Sequence, residues 1–226
     1  MQVVCLPFAG GNETSYERFR PHLPEGYALV NFTWPGKGSR MGQPPHTDMH
    51  ALVDEAFGQF AGLVNGPYIL YGHSMGALLA HLLLHRLMDA GLPLPERLVV
   101  SSFPAPSHHH DRHRRQMDDL AFIAHMKKLG GLPPAVLNEP RLLRVIIPML
   151  RADINAIDSF RYAPLAPYPV PVLAMFGSQE QGLASMIMDW QTETTLPLKV
   201  RRMEGDHFFI FPQAQQVVEL LCGSAQ

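Results

Sequence analysis

Tyr68-Ile69-Leu70-Tyr71-Gly72-His73-Ser74-Met75-Gly76-Ala77-Leu78-Leu79-Ala80 is the stretch on which the reading of the fold turns. Residues 68–71 form a short apolar run suited to a buried strand, and everything after Met75 has helical character. Ser74 sits between Gly72 and Gly76, so the pattern is G-x-S-x-G between a strand and a helix, the setting of a nucleophile elbow. The residue types follow from the turn. A bend this sharp strains the serine backbone, and both flanking positions must be small for strand and helix to approach. Such a turn lifts Ser74 Oγ above the sheet edge and aims the Met75 N–H, at the helix N-terminus, at a developing oxyanion.

Outward from this stretch the chain alternates. The helix after Ser74 is apolar nearly all round, with Leu78, Leu79, Leu82, Leu83, Leu84 and Leu87, and it stops at Gly91 with Pro93 just beyond. Upstream, Thr47 is placed to cap a helix running to about Val64, with Val53, Ala56, Phe57, Phe60 and Val64 on one stripe. Residues 12–23 have helical spacing. Strands are expected over 2–6, 27–34, 97–103, 170–176 and 198–203 besides the central one. Strands alternating with helices of this length mean βαβ units, an α/β class and a mostly parallel sheet flanked by helices. Ligands then bind at the carboxyl ends of the strands, where Ser74 falls.

Three further loops leave that same edge. Pro7-Phe8-Ala9-Gly10-Gly11 follows the first strand, and a backbone N–H of Ala9, or of Phe8 as the alternative, is the candidate second oxyanion donor. Gly177-Ser178-Gln179-Glu180 follows the fifth strand, and Glu204-Gly205-Asp206-His207 the sixth. The order Ser…Asp/Glu…His is the one α/β-hydrolases use. In that scheme His207 takes the proton from Ser74 and hands it to the leaving group, while Glu180 fixes the His207 tautomer. Ser178 and Gln179 are the candidates to brace the Glu180 side chain. Asp153 is the competing acid.

Residues 104–164 break the alternation and read as a helical lid inserted over the site, with helices over 117–129 and 139–160, the second interrupted at Pro148. The cluster from His108 to Arg115 holds four histidines, but adjacent histidines without an orienting carboxylate framework make a poor metal site. A solvated basic loop is expected there, with Arg112, Arg114 and Arg115 available to a phosphate or to acidic residues of a partner. Gly36-Lys37-Gly38-Ser39-Arg40 lacks the spacing of a phosphate loop and reads as a surface crossover.

The 226 residues, 46% of them hydrophobic, suffice for one domain spanning 1–226 with a full core. A net charge of −2 calls for neither nucleic acid nor a membrane surface. Cys5, in an apolar strand, and Cys222 are the only cysteines, which suits a reducing compartment. The chain starts directly on a strand, and no apolar run is long enough to span a bilayer, so a cytoplasmic protein, acting as a monomer, is expected.

Several stretches together carry a family resemblance. They are Leu6-Pro7-Phe8-Ala9-Gly10-Gly11, Trp34-Pro35-Gly36-Lys37-Gly38-Ser39-Arg40, Gly72-His73-Ser74-Met75-Gly76-Ala77, Leu129-Gly130-Gly131, Leu150-Arg151-Ala152-Asp153 and Gly205-Asp206-His207-Phe208-Phe209. In this order, over almost the whole chain, they resemble the stand-alone type II thioesterases of the α/β-hydrolase superfamily that accompany nonribosomal peptide and polyketide synthases. The resemblance implies hydrolysis of acyl groups from the 4′-phosphopantetheine thiol of acyl-loaded carrier proteins (PCP or ACP), with no metal and no cofactor of its own. It also implies that the insertion is a mobile lid. One departure stands out: the family usually has Asp where Glu180 stands. Two other activities fit the same residues. An acyltransferase or cyclase would use the same acyl-enzyme, and a carrier-protein-binding module would keep the fold with weak chemistry.

Overall fold

The computed structural model describes residues 1–109, 114–132 and 134–223. Each of the six apolar runs forms a strand: β1 (Gln2–Leu6), β2 (Ala28–Asn31), β3 (Tyr68–His73), β4 (Arg97–Ser101), β5 (Val172–Gly177) and β6 (Lys199–Met203). They pair in parallel in the order β2-β1-β3-β4-β5-β6. Four strands, β2, β4, β5 and β6, are shorter than expected. Pro169 and Pro171 flank Val170 without an N–H to give, so β5 starts at Val172. β2 ends at Asn31, ahead of the Pro35-Gly36 turn.

Alternation along the strands splits the core in two. Val4, Leu6, Leu70, Leu98 and Val100 face one layer, whereas Val3, Cys5, Ile69, Tyr71 and Val99 face the other. The first layer is built from α1 (Met49–Leu63), α2 (Met75–Asp89) and the helices that follow β4. The second is built from α7 (Ala214–Cys222) and the 3-10 turn Glu17–His22. A regular helix over 12–23 does not form. Pro21 lies inside that segment, and Asn12 Oδ1 draws the Thr14 N–H into a local turn at 2.8 Å. The cap of α1 is Asp48 rather than Thr47, its carboxylate accepting from the Ala51 N–H at 3.1 Å.

Between β4 and β5 lie α3 (Asp119–Lys128), the single turn α4 (Pro134–Leu137) and α5 (Pro140–Ser159). Contrary to the expected interruption, α5 runs through Pro148. Pro148 is on the exposed face, while Ile147, Leu150, Ile154 and Ile157 bury the other face. After β5 come α6 (Leu183–Ile187) and a 3-10 turn, Met188–Glu193, that the sequence pattern did not announce. Among the described residues no helix is long and apolar enough to cross a membrane.

Candidate active site

Parallel register determines what meets at the sheet edge. Leu6 pairs with Gly72, Gly72 with Val100, Ser101 with Met175 and Gly177 with Met203, so five strands end level with one another. The residues just beyond those ends are Phe8 and Ala9, Ser74, Ser102, Glu180 and His207. All six line one cavity of about 840 Å³.

Ser74 adopts φ 53° and ψ −121°, a left-handed conformation that a serine holds only at a cost of about 1–3 kcal/mol. Its N–H donates to the Ser101 carbonyl at 2.8 Å, which ties the bend to the neighbouring strand. The glycines are sterically required. A Cβ on Gly72 would collide with the Gly76 carbonyl, and one on Gly76 with the Leu6 carbonyl. Met75 is the first residue of α2, so its N–H has no intrahelical acceptor and lies at the positive end of the helix dipole. Across the cavity, the Phe8 carbonyl accepts from the Gly11 N–H at 2.8 Å. Carbonyl and N–H of one peptide point oppositely, so this turn directs the Ala9 N–H away from Gly11.

His207 Nδ1 and Glu180 Oε1 are 2.8 Å apart. A carboxylate accepts, so Nδ1 is the donor of this bond. The other carboxylate oxygen, Oε2, accepts from Ser102 Oγ at 2.7 Å and from the Gly177 N–H at 2.8 Å. The brace for Glu180 is therefore Ser102 and the Gly177 backbone. Ser178 bonds Glu204 instead, at 3.0 Å. Sequence reasoning missed Ser102, which is the second non-glycine residue with positive φ, at 52°. Its only signal was a serine directly after a strand at the correct edge. No hydrogen bond joins Ser74 to His207 in this structure; such contacts commonly tighten when substrate arrives.

The remaining acids and histidines are engaged elsewhere. Asp153 is buried and accepts from the Gly10 N–H at 2.6 Å and from the buried Lys37 ammonium. Asp206 Oδ1 accepts from the Phe208 N–H at 2.8 Å. His73 hydrogen-bonds Ser101 Oγ at 2.9 Å, and its ring lies 5.0 Å from that of His207. Burial, and secondarily a charge on His207, push the His73 pKa well below its ordinary value, so it stands neutral.

Of the basic cluster, residues 110–113, Arg112 among them, lie outside the described residues. The solvated-loop expectation fails for Arg114, which is buried and forks onto the buried carboxylate of Asp158. His108 pairs with Asp189, and His109 stacks on Phe103, while Arg115 is exposed. Arg114 also lines the cavity, with Lys127 and Lys128 from α3 and Ile154 and Ile157 from α5. Lys37, read as part of a surface crossover, is in fact interior.

A separate polar cluster lies within the first core layer. His81 and His85, one turn apart on α2, face Glu193, with donor atoms within 4.8 Å of one another. A tetrahedral zinc ion holds its ligands roughly 3.4 Å apart. Glu193 Oε1 already accepts from Tyr162 at 3.2 Å and Thr192 at 3.3 Å. Burial lowers the His81 pKa to about 3 and raises that of Glu193, while His81 Nδ1 and His85 Nε2 are buried without a hydrogen-bond partner among the described residues.

The family model of the thioesterase domain matches residues 1–224 of this chain. The gramicidin S biosynthesis protein GrsT of Aneurinibacillus migulanus is 27% identical over 226 residues, which are 98% of this chain and 88% of the relative. RedJ, a thioesterase from the prodiginine biosynthetic pathway in Streptomyces coelicolor, superposes with a TM-score of 0.92 at 29% identity, covering 98% of this chain and 89% of RedJ. YbtT, a type II thioesterase from the yersiniabactin NRPS/PKS pathway, gives a TM-score of 0.84 at 29% identity over 97% of this chain and 90% of its own. The parallel sheet with its flanking helices is thus an α/β-hydrolase fold.

Proposed function

The chain belongs to the thioesterase family, and on that premise we propose that it acts as a type II thioesterase of a nonribosomal peptide or polyketide synthase. It hydrolyses acyl, aminoacyl or peptidyl thioesters from the phosphopantetheine arm of a carrier protein. Ser74 is the nucleophile, His207 the general base and acid, Glu180 the orienting acid, and Met75 and Ala9 N–H groups form the oxyanion hole. The observation that carries this reading is that the strained Ser74 opens onto the same cavity as the hydrogen-bonded Glu180–His207 pair.

The chemistry is two acyl transfers. Ser74 Oγ bonds to the thioester carbonyl carbon as His207 Nε2 takes its proton, and the two N–H groups stabilise the oxyanion. Collapse breaks the C–S bond, and His207 returns the proton to the departing pantetheine sulfur. Water then adds to the Ser74 ester with His207 again as base, and the acid leaves as Ser74 regains its proton. Neither step asks for a metal or a further cofactor. Helices α3 to α5, within the 104–164 insertion, serve as the lid over the acyl group. That segment supplies much of the cavity wall, which supports the assignment.

Incubation with acyl-loaded carrier protein, followed by intact-mass analysis, tests the proposal. Wild type is expected to release free acid and to show a transient acyl adduct on Ser74. Ser74→Ala is expected to show neither. Retention of most turnover in Ser74→Ala would overturn the nucleophile. Transfer of the acyl group to an amine or alcohol in place of free acid would overturn hydrolysis.

A further inference from the structure

A buried ion pair outside the Ser–His–acid set fastens the wall of the oxyanion site. Asp153, on α5, and Lys37, in the turn after β2, are each 2% exposed and paired with each other. The same Asp153 oxygen, Oδ2, accepts from the Gly10 N–H at 2.6 Å. Gly10 has φ +82°, and α5 presses against it so closely that a Cβ there would lie 2.8 Å from Leu150 Cδ2. The loop after β1 is thus held at consecutive peptides. The Phe8–Ala9 peptide is held by the Gly11 N–H on the Phe8 carbonyl, and the Ala9–Gly10 peptide by Asp153.

We propose that Asp153, with Lys37 as its counter-ion, is a positioning residue that sets the direction of the Ala9 N–H and so couples α5 to the oxyanion hole. The inference rests on the reading of Ser74 and Ala9 given above. Its physical basis is that catalytic hydrogen bonds count only when their donors are already oriented. With φ and ψ of Ala9 free to turn, the donor would lose its aim. Lys37 is the charge partner of Asp153 where both side chains are buried.

Single replacements leave one buried charge unpaired and endanger folding, so the decisive comparison uses two neutral double variants. Lys37→Met/Asp153→Asn keeps an acceptor for the Gly10 N–H, whereas Lys37→Met/Asp153→Leu has the same bulk and no acceptor. Both are assayed on a short acyl-CoA thioester and for affinity toward an alkyl boronic acid, which forms a tetrahedral adduct on an active serine. The Asn variant is expected to turn over about 10–100-fold faster than the Leu variant, less than the roughly 10²–10³ for outright loss of one oxyanion donor because the Ala9 N–H is misaimed rather than removed. Boronate affinity is expected to differ by a similar factor, with KM for the thioester within about twofold. Equal kcat and equal boronate affinity in the two variants would overturn the inference, as would a difference confined to KM. Absence of a Ser74–boronate adduct in wild type would instead overturn the reading of Ser74 itself, so the two failures are separable. Should the Leu variant not fold, Asp153→Glu in the native Lys37 background, which keeps both charges of the pair, is compared with wild type. The longer acid displaces the acceptor from Gly10, and unchanged kcat there would overturn the proposal.

Discussion

Glu180 carries one more methylene than the aspartate usual at this place, and the structure shows how that length is accommodated. Its carboxylate is held at three points: His207 at 2.8 Å, Ser102 at 2.7 Å and the Gly177 N–H at 2.8 Å. Glu180→Gln keeps the shape, loses the charge and presents an amide to His207, so kcat is expected to fall by about 10³–10⁴. Glu180→Asp withdraws the carboxylate by about 1.5 Å, beyond hydrogen-bond reach of Nδ1, and an intermediate loss of about 10–100-fold is expected. Ser102→Ala removes one of the two donors on Oε2, worth about 1 kcal/mol, and is expected to cost roughly fivefold in kcat with KM unchanged. Steady-state kinetics on one thioester ranks the three. If Glu180→Gln kept most of its rate, another acid would have to orient His207.

At the scale of elements, the buried fork between Arg114 and Asp158 matters most to the segment between β4 and β5. It pins the entry of that segment to the last turns of α5, and Asp158 is fully buried. Arg114→Gln leaves that carboxylate unpaired, which costs about 3–5 kcal/mol. At about 2–4 °C per kcal/mol for a domain of this size, Tm is expected to fall by about 10 °C, with proteolytic cleavage appearing first in this segment. Arg114→Met/Asp158→Leu, with no charge to bury, is expected to regain most of the loss. Arg115→Gln, on the exposed side, is expected to shift Tm by less than about 1 °C. An Arg114→Gln variant as stable as wild type would show that solvent reaches Asp158. The same elements show what a sequence reveals. Strands β1, β3, β4 and β5 were legible because parallel strands buried on both faces read as nearly continuous apolar runs, whereas the edge strands β2 and β6 are partly exposed and were placed by the strand–helix alternation. The edge on which Ser74, Glu180 and His207 converge follows from strand direction alone. What escaped were pairs joined only in three dimensions: Lys37 with Asp153, 116 residues apart, and Ser102 with Glu180, 78 apart. Pro148 misled in the other direction. Local propensity predicts a break, but burial of one face of α5 outweighs a single missing hydrogen bond.

For the molecule as a whole, three histidines in the interior tie stability to pH. His73, His81 and His85 are all depressed, each chiefly by burial; His81 falls to about 3. The groups facing His81 do not rescue its charge. His85 opposes protonation, Tyr168 is a buried neutral phenol, and Glu193 lies 3.9 Å away with its own carboxyl raised by burial. In the unfolded chain each imidazole titrates near about 6.5. As pH falls below that value the unfolded state binds protons that the native state refuses. The stability these groups contribute is therefore complete above about pH 6.5 and is lost as pH falls, for His81 down to its folded value near 3. Each contributes a slope of up to about 1.4 kcal/mol per pH unit. Glu193 acts in the opposite sense, because its raised carboxyl lets the native state hold a proton above about pH 4.3 that the unfolded state has released. Comparing wild type with His81→Gln cancels that term and the contributions of His73 and His85. Urea unfolding at steps from pH 7 to 4.5 is expected to give a wild-type free energy that falls more steeply than that of His81→Gln. The difference should approach one proton, with the two curves parallel above about pH 6.5. Parallel curves over the whole range would mean that His81 accepts its proton in the folded protein and that burial does not hold it neutral.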